Sequence, residues 1–434
     1  MRELLARRDF RRMLVGQTVS ALGDWMGTIA LMMLVLRLSG STTAVGGVLV
    51  LQLLPSAIAA PFISRLVARV DRRQVMLACD VIRAGLVVLL PLISLVGWVY
   101  VFAFLLQVVG LAFLPARDAA VPVLAGMGAD DSREAKEARL SAANALILAT
   151  YYGSIPLGAG IFALIVTVGD AVGLPPTLQF VVAFWVDALT FLLSYVAIRG
   201  IGDLGHRLRE PATPVEPGET RDYKGTGERL RLREVLRNPV ARAVIQATLV
   251  AVLGLGALFS LGAVFVSETV GAGPVGFGAL VAMFGVGAAS GLGGTRLLAD
   301  RARAWQLRVA VILQGAMIVS MTLFAMLPLT LVGAAVFGAA VTAALINAIG
   351  LLQDSLTGGE RDLALSAFHL SLRGGLALSA VLAGAAADLV EPIQIPIFGT
   401  LRPEQLVLLG AGAIVVLSAF AIRLRGVAET SAAS

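Results

Sequence analysis

The chain alternates long apolar runs with short polar intervals. A helix crosses a hydrocarbon core about 30 Å thick with about 20 mostly apolar residues. Twelve stretches have that character: 13–36, 43–64, 74–96, 98–115, 141–167, 177–198, 240–266, 276–298, 308–327, 331–352, 363–387 and 405–422. One interval stands apart. Residues 200–239 are hydrophilic, carry Pro211, Pro214 and Pro217 among Gly and Glu, and read as a linker. Within it, the alternation of Arg and Leu from Glu228 to Arg237 predicts a helix lying along the headgroups, stopped by Asn238-Pro239. Six spans precede the linker and six follow it. Each half has a short basic loop between its second and third spans, at 65–73 and 299–307. The prediction is an all-α membrane protein of twelve transmembrane helices in two pseudo-symmetric six-helix bundles. Residues 1–199 form the N-terminal bundle, 200–239 the cytoplasmic linker with its interfacial helix, and 240–434 the C-terminal bundle. A duplicated bundle of this kind places its substrate cavity near the midplane, between the halves.

Composition strengthens the membrane reading. Of 434 residues, 58% are apolar and 14% charged, against about 45–50% and about 25% in soluble domains. The mean hydropathy is +0.88. Those values exclude a soluble enzyme, a disordered chain and an outer-membrane barrel, whose strands alternate and whose mean hydropathy is low. Gly, at 47 residues, suits helices that approach closely in lipid. A single cysteine, Cys79, and two histidines, His206 and His369, exclude an intramolecular disulfide and a Cys- or His-rich metal site. No cofactor or metal is expected.

The net charge of +6 comes from 32 Arg and 2 Lys against 28 acids, and their positions set orientation. Thirty of the 34 cations fall on the side that holds both termini. Arg37 and Arg402 lie opposite, and Arg83 and Arg373 lie within spans. The positive-inside rule then makes both termini cytoplasmic, and the basic residues face anionic lipid rather than nucleic acid. The phosphate loop G-K-[ST], H-E-x-x-H and G-x-S-x-G are all missing. Gly285-Val-Gly-Ala-Ala-Ser290 falls short of a dinucleotide loop, and its Gly287 and Gly291 fit a helix contact instead. The protein is expected not to be an enzyme, and any uphill work must draw on an ion or substrate gradient.

Ionisable groups inside spans are costly, roughly 2.5–3.5 kcal/mol each on insertion scales, and so mark interior or functional positions. Asp24 lies mid-span, on a helical face shared with Gln17, Ser20 and Thr28. It either binds a proton or a cationic substrate, or hydrogen-bonds a neighbouring helix to fix packing. Asp80 and Arg83, three apart on span three, are spaced to pair and read as structural or gating charges. Asp187 shares a face with Thr190 and Ser194. On span eleven, Ser366, His369 and Arg373 share a face, and Arg373 needs a carboxylate, with Asp24 or Asp187 available, or an anionic substrate. Asp24, Asp187 and His369 are the proton-coupling candidates. Gln17, Ser20, Thr28, Gln107, Tyr151, Tyr152, Asn347 and Arg373 are the cavity candidates, with Asn144 a turn or two before the tyrosines.

Several phrases carry a resemblance. The loop Pro61-Phe-Ile-Ser-Arg-Leu-Val-Ala-Arg-Val-Asp-Arg-Arg73 resembles the signature loop of the major facilitator superfamily, G-x-L-A-D-R-x-G-R-R, and Leu298-Ala-Asp-Arg301 resembles it again in the second half. Asp9-Phe-Arg11, Leu22-Gly-Asp-Trp25, Asp80-Val-Ile-Arg-Ala84, Phe113-Leu-Pro-Ala-Arg117, Ala142-Ala-Asn-Ala145 and Asp187-Ala-Leu-Thr-Phe191 look like the bacterial drug:proton antiporters that include macrolide and enterobactin exporters. There are departures. Ser64 stands for the loop's first Gly, and Ala68 stands where the family has an acid that tethers the cytoplasmic side; Asp300 keeps that acid in the second half. Of the antiporter motif on span five, Pro156 and Gly160 remain, and span four carries Gln107 rather than Arg. By the resemblance, Arg69, Arg72, Arg73, Asp300 and Arg301 are gating or structural charges.

The resemblance implies a monomeric transporter of the bacterial inner membrane. It would export a drug-like, macrolide-like or siderophore-like amphiphile by alternating access, in exchange for protons. Its partners are a small amphipathic substrate, protons and the lipid bilayer, with no nucleic acid. The alternatives are a lysophospholipid or lipid flippase or a uniporter of the same fold and, more distantly, a non-transporting receptor or scaffold.

Overall fold

In the computed structural model, residues 2–58, 70–126, 133–202, 237–298, 301–356, 358–395 and 399–421 are described. A short helix, α1 (Arg2–Ala6), leads into α2 (Arg8–Ser39), α3 (Thr42–Ile58), α4 (Arg72–Leu89), α5 (Val96–Leu124), α6 (Arg133–Ala171) and α7 (Pro176–Arg199). After the linker come α8 (Pro239–Val264), a π-helical turn at Phe265–Thr269, α9 (Gly273–Leu297), α10 (Arg303–Phe324), α11 (Leu327–Ser355), α12 (Gly358–Leu389) and α13 (Pro403–Ala421). A two-stranded antiparallel hairpin, β1 (Ile393–Ile395) and β2 (Gly399–Leu401), joins the last two helices. Eleven of the described helices are long and apolar enough to cross a membrane. The expected span 43–64 corresponds to α3, whose continuation past Ile58 lies outside the described residues. The fold is therefore that of a twelve-span helical membrane protein.

Helix starts follow capping chemistry. Asp71 opens α4 by accepting from the backbone N–H groups of Arg73 (2.7 Å) and Gln74 (3.2 Å). Asn238-Pro239, expected to stop the interfacial helix, starts α8. Asn238 Oδ1 accepts from Val240 N at 2.9 Å and Ala241 N at 3.3 Å, and Pro239 occupies the first turn, where its missing N–H costs nothing. Of the interfacial helix expected at 228–237, residues 228–236 lie outside the described residues. At its far end, α10 stops at Ala325, which takes a left-handed conformation with φ of 39°.

The chain divides into two compact units, Met1–Ser39 with Leu51–Gly218, and Gly40–Val50 with Glu219–Ser434. Within the first, α2 packs on α6 and α7, and α4 packs on α5 and α7. Within the second, α8 packs on α12 and α13, and α10 packs on α11 and α13. The first span of each bundle thus touches its fifth and sixth, and the third touches its fourth and sixth, as a duplication requires. Phe10, Met13, Met76, Cys79, Phe113 and Ile198 belong to one buried cluster of the first unit; Val244, Leu307, Val311, Leu352 and Phe368 belong to the core of the second.

The amino end of α3 belongs to the second unit and is held by α12. Asp388 accepts the hydroxyls of Ser41, Thr42 and Thr43, each at 2.7 Å, and the N–H groups of Thr42 (3.2 Å) and Thr43 (3.3 Å). Ser41 Oγ accepts from Ala44 N at 3.2 Å. The first three N–H groups of α3 are thereby satisfied. Gly384 permits the approach, since a methyl group there would meet Thr42 O at 2.7 Å.

Candidate functional site

Three helices of the first unit bring its intramembrane charges together. Arg83 of α4 donates through Nη2 to Asp24 Oδ1 of α2 and lies over the Phe191 ring of α7, with Cζ 4.1 Å from the ring centre. The pairing expected between Asp80 and Arg83 is therefore corrected. One turn of a helix allows that pair, but Asp24 across the bundle provides the contact that forms. Asp80 is fully buried, and neither of its oxygens makes a hydrogen bond of normal geometry among the described residues, although Ser194 Oγ is its neighbour.

Asp187 lies against the backbone of α2. A methyl group on Gly27 would fall 2.6 Å from Asp187 Oδ2, and one on Gly23 would strike Asp187 Oδ1 and the Thr190 hydroxyl. Glycine at these positions is what admits the carboxylate. Thr190 Oγ1 donates to Asp187 O at 2.7 Å and sits 3.3 Å from Asp187 Oδ1. Thr28 donates to Asp24 O at 2.8 Å, so its hydroxyl serves its own helix. Side-chain exposure is 35% for Asp24 and 14% for Arg83. The ion pair thus has an accessible edge on the Asp24 side, while Asp80 and Asp187 are closed off. Chemically the cluster offers three carboxylates to one resident cation.

The other expected residues scatter. Ser20 is buried on α2, and Gln17, one turn earlier, accepts from Arg117 at 3.4 Å. Gln107 is half-buried on α5. Tyr151 is exposed and packs its ring 6.1 Å from that of Trp25; the side chains of Asn144 and Tyr152 lie outside the described residues. In the second unit Asn347 is buried, donating to Ala343 O at 2.8 Å and to Gln306 Oε1 at 3.3 Å. His369 is exposed and lies edge-on to Phe368. Arg373 is exposed and forms no ion pair among the described residues, and Asp24, one of its expected partners, is held by Arg83.

Arg73 donates to Arg199 O and Arg12 to Gly200 O, so both bind the carboxyl end of α7. Arg72 is half-buried at the start of α4. Arg301 lies over the Trp305 ring at 5.8 Å. Arg69, Ala68 and Asp300 lie outside the described residues. Sequence reasoning missed Phe191 as the seat of Arg83, although it ends the Asp187-Ala-Leu-Thr-Phe191 phrase. It also missed Asp388, for which the Ser41-Thr42-Thr43 tripeptide before an apolar run was an available capping signal.

The model of the Major Facilitator Superfamily matches residues 13–380. No curated protein matches the chain. Among solved structures, the nucleoside transporter NupG superposes with a TM-score of 0.70 at 11% identity, covering 97% of this chain and 98% of that one. A bacterial homologue of the iron transporter ferroportin, in an inward-facing state, gives 0.65 at 14% identity over 96% and 98%. A bacterial homologue of the human lysosomal transporter Spinster gives 0.63 at 14% over 97% of both. At such identities the likeness is one of fold, and it extends from end to end. With the family match over most of the chain, it makes this multi-pass membrane transport protein a member of the major facilitator superfamily.

Proposed function

We propose that the protein exports an amphipathic small molecule in exchange for protons, by alternating access. It works as a monomer in the inner membrane with both termini cytoplasmic. The observation that carries this reading is the cluster of Asp24, Asp80, Asp187 and Arg83 within one unit. Charges are expensive inside a bilayer and persist where they serve ion or substrate traffic. Asp24 is the coupling group, because its carboxylate is the one with an accessible edge. Asp187 behind it, across Gly23 and Gly27, is the second. A membrane potential of 100 mV supplies about 2.3 kcal/mol per charge, which sustains a substrate gradient of roughly fifty-fold per proton.

The test is transport by reconstituted protein, with a fluorescent amphiphile such as ethidium. Asp24→Asn keeps the shape and loses the titration. It should abolish uphill, pH-driven movement, leave part of the downhill flux, and purify as folded protein. Full pH-driven transport by Asp24→Asn would move coupling to Asp187 or His369. Wild-type flux that ignores an uncoupler would instead leave a uniporter or lipid flippase.

A further inference from the structure

Arg83 holds the position that a substrate cation would take. Its guanidinium has a ring face beneath it, a carboxylate beside it, and a partly accessible edge where Asp24 meets it. An aromatic face with an adjacent carboxylate is a general receptor for delocalised organic cations. One helical turn before Arg83 on α4 lies a second acceptor, Asp80, which has the Ser194 hydroxyl as a neighbour and no cation paired to it among the described residues. Asp80 is fully buried with both oxygens unsatisfied among the described residues, and it lies within electrostatic reach of both Arg83 and Asp24. Buried carboxylates without donors are rare, because the lost hydration is not replaced. Residues three apart on a helix are spaced for an Asp–Arg pair.

We propose that Arg83 is an exchangeable plug: an amphipathic organic cation displaces it from Asp24 and Phe191, and Arg83 turns to Asp80. This rests on the reading of Asp24 as the transport site and narrows its substrate class. A proton would need neither the ring nor the second acceptor. The exchange keeps the cluster supplied with cations. Empty, the cluster has Arg83 on Asp24. Loaded, it has the ligand on Asp24 and Arg83 on Asp80, so no carboxylate that was paired becomes unpaired.

Equilibrium binding of radiolabelled tetraphenylphosphonium to the purified full chain tests this, with neutral triphenylphosphine oxide as competitor. Arg83→Gln removes the plug and should tighten binding about tenfold. Asp80→Asn removes the place where the plug goes and should weaken binding about tenfold in the parent. In the Arg83→Gln background, Asp80→Asn should change nothing, because there is no plug to receive. Weakening by Asp80→Asn of equal size in both backgrounds would make Asp80 a packing residue and overturn the exchange. Unchanged binding by Arg83→Gln would do the same. Should Asp80→Asn fail to fold, Arg83→Lys provides the reading. A lysine keeps the charge but lacks the planar group that lies on Phe191, so binding should tighten about threefold, and no tightening counts against the plug. Asp24→Asn should abolish binding in every background; retained binding would overturn the site itself rather than the exchange. Competition by the neutral analogue, or no tetraphenylphosphonium binding by either wild type or Arg83→Gln, would overturn the cationic class.

Discussion

The two units share a packing scheme and spend their interiors differently. In the first, the buried polar residues include Asp80 and Asp187, with Asp24 and Arg83 beside them. In the second, the buried polar side chains of the spans among the described residues are amides and hydroxyls, such as Gln306, Gln314, Asn347, Ser260 and Thr248, and the buried acid among them is Glu404 at the start of α13. Glycine shows the same division. Gly23 and Gly27 make room for the side chains of Asp187 and Thr190, whereas Gly287 and Gly291 of α9 and Gly338 of α11 make room for backbone. A methyl group on Gly287 would come 2.6 Å from the carbonyl carbon of Ala335, and one on Gly291 2.6 Å from Ala339 O. Gly158, which faces Leu22 O, is the exception in the first unit. One bundle uses small residues to bring helices together; the other uses them to bring a carboxylate to a helix. Charge chemistry is therefore concentrated where glycines leave room for a carboxylate.

If that division holds, bulk should hurt the second unit and charge loss should hurt the first. The largest effect on folding is expected at Gly287→Val, whose side chain would collide with the α11 backbone rather than with a flexible group. Overpacking costs about 1–3 kcal/mol where side chains can yield, and backbone yields less. Little monodisperse protein should survive size-exclusion chromatography, whereas Asp24→Asn should elute normally. Normal elution of Gly287→Val would break the comparison. Next is Asp388→Ala, which strips the first turn of α3 of its acceptor and should lower stability by about 1–2 kcal/mol. Asp388→Asn, keeping one acceptor oxygen, should lose about half as much in a thermal melt, and equal losses would point to charge rather than capping. The smallest effect is expected at Arg402→Gln. Its ion pair with Glu268 spans 3.3 Å, but both side chains are about half exposed, and such pairs contribute about 0–1 kcal/mol. A melting shift as large as that of Asp388→Ala would mean that the α8–α13 end is held by charge.

Much of this was legible before any coordinates. Length and apolarity give the spans because every backbone polar group in lipid must be satisfied within its own segment. Gly287 and Gly291 were readable as a helix contact from their four-residue spacing. The costs of intramembrane charge pointed to Asp24, Asp80, Arg83 and Asp187. What the sequence does not carry is who pairs with whom. Helical spacing knows neighbours on one helix, so it proposed Asp80 for Arg83; the partner is on α2, and that choice depends on how three helices pack. The same blindness assigned Asp24 or Asp187 to Arg373. Asn238-Pro239 was ambiguous for a different reason, since a dipeptide that can stop one helix can equally start the next. Asp388 fell one residue beyond the expected end of its span and so escaped the search for charges inside spans.

The hold of Asp388 on α3 also orders events in time. Two N–H groups in the first turn of α3 depend on a carboxylate about 345 residues later in the chain. At a synthesis rate of about 5–20 residues per second, that carboxylate emerges roughly 20–70 s after the turn it completes. Until then Thr42 and Thr43 must borrow partners from water or headgroups, so the amino end of α3 stays near the interface while the rest of the polytopic chain is inserted. Its final seating is then among the last steps of biogenesis, and a ribosome stalled before residue 388 should leave a protein whose second span is threaded but not yet docked.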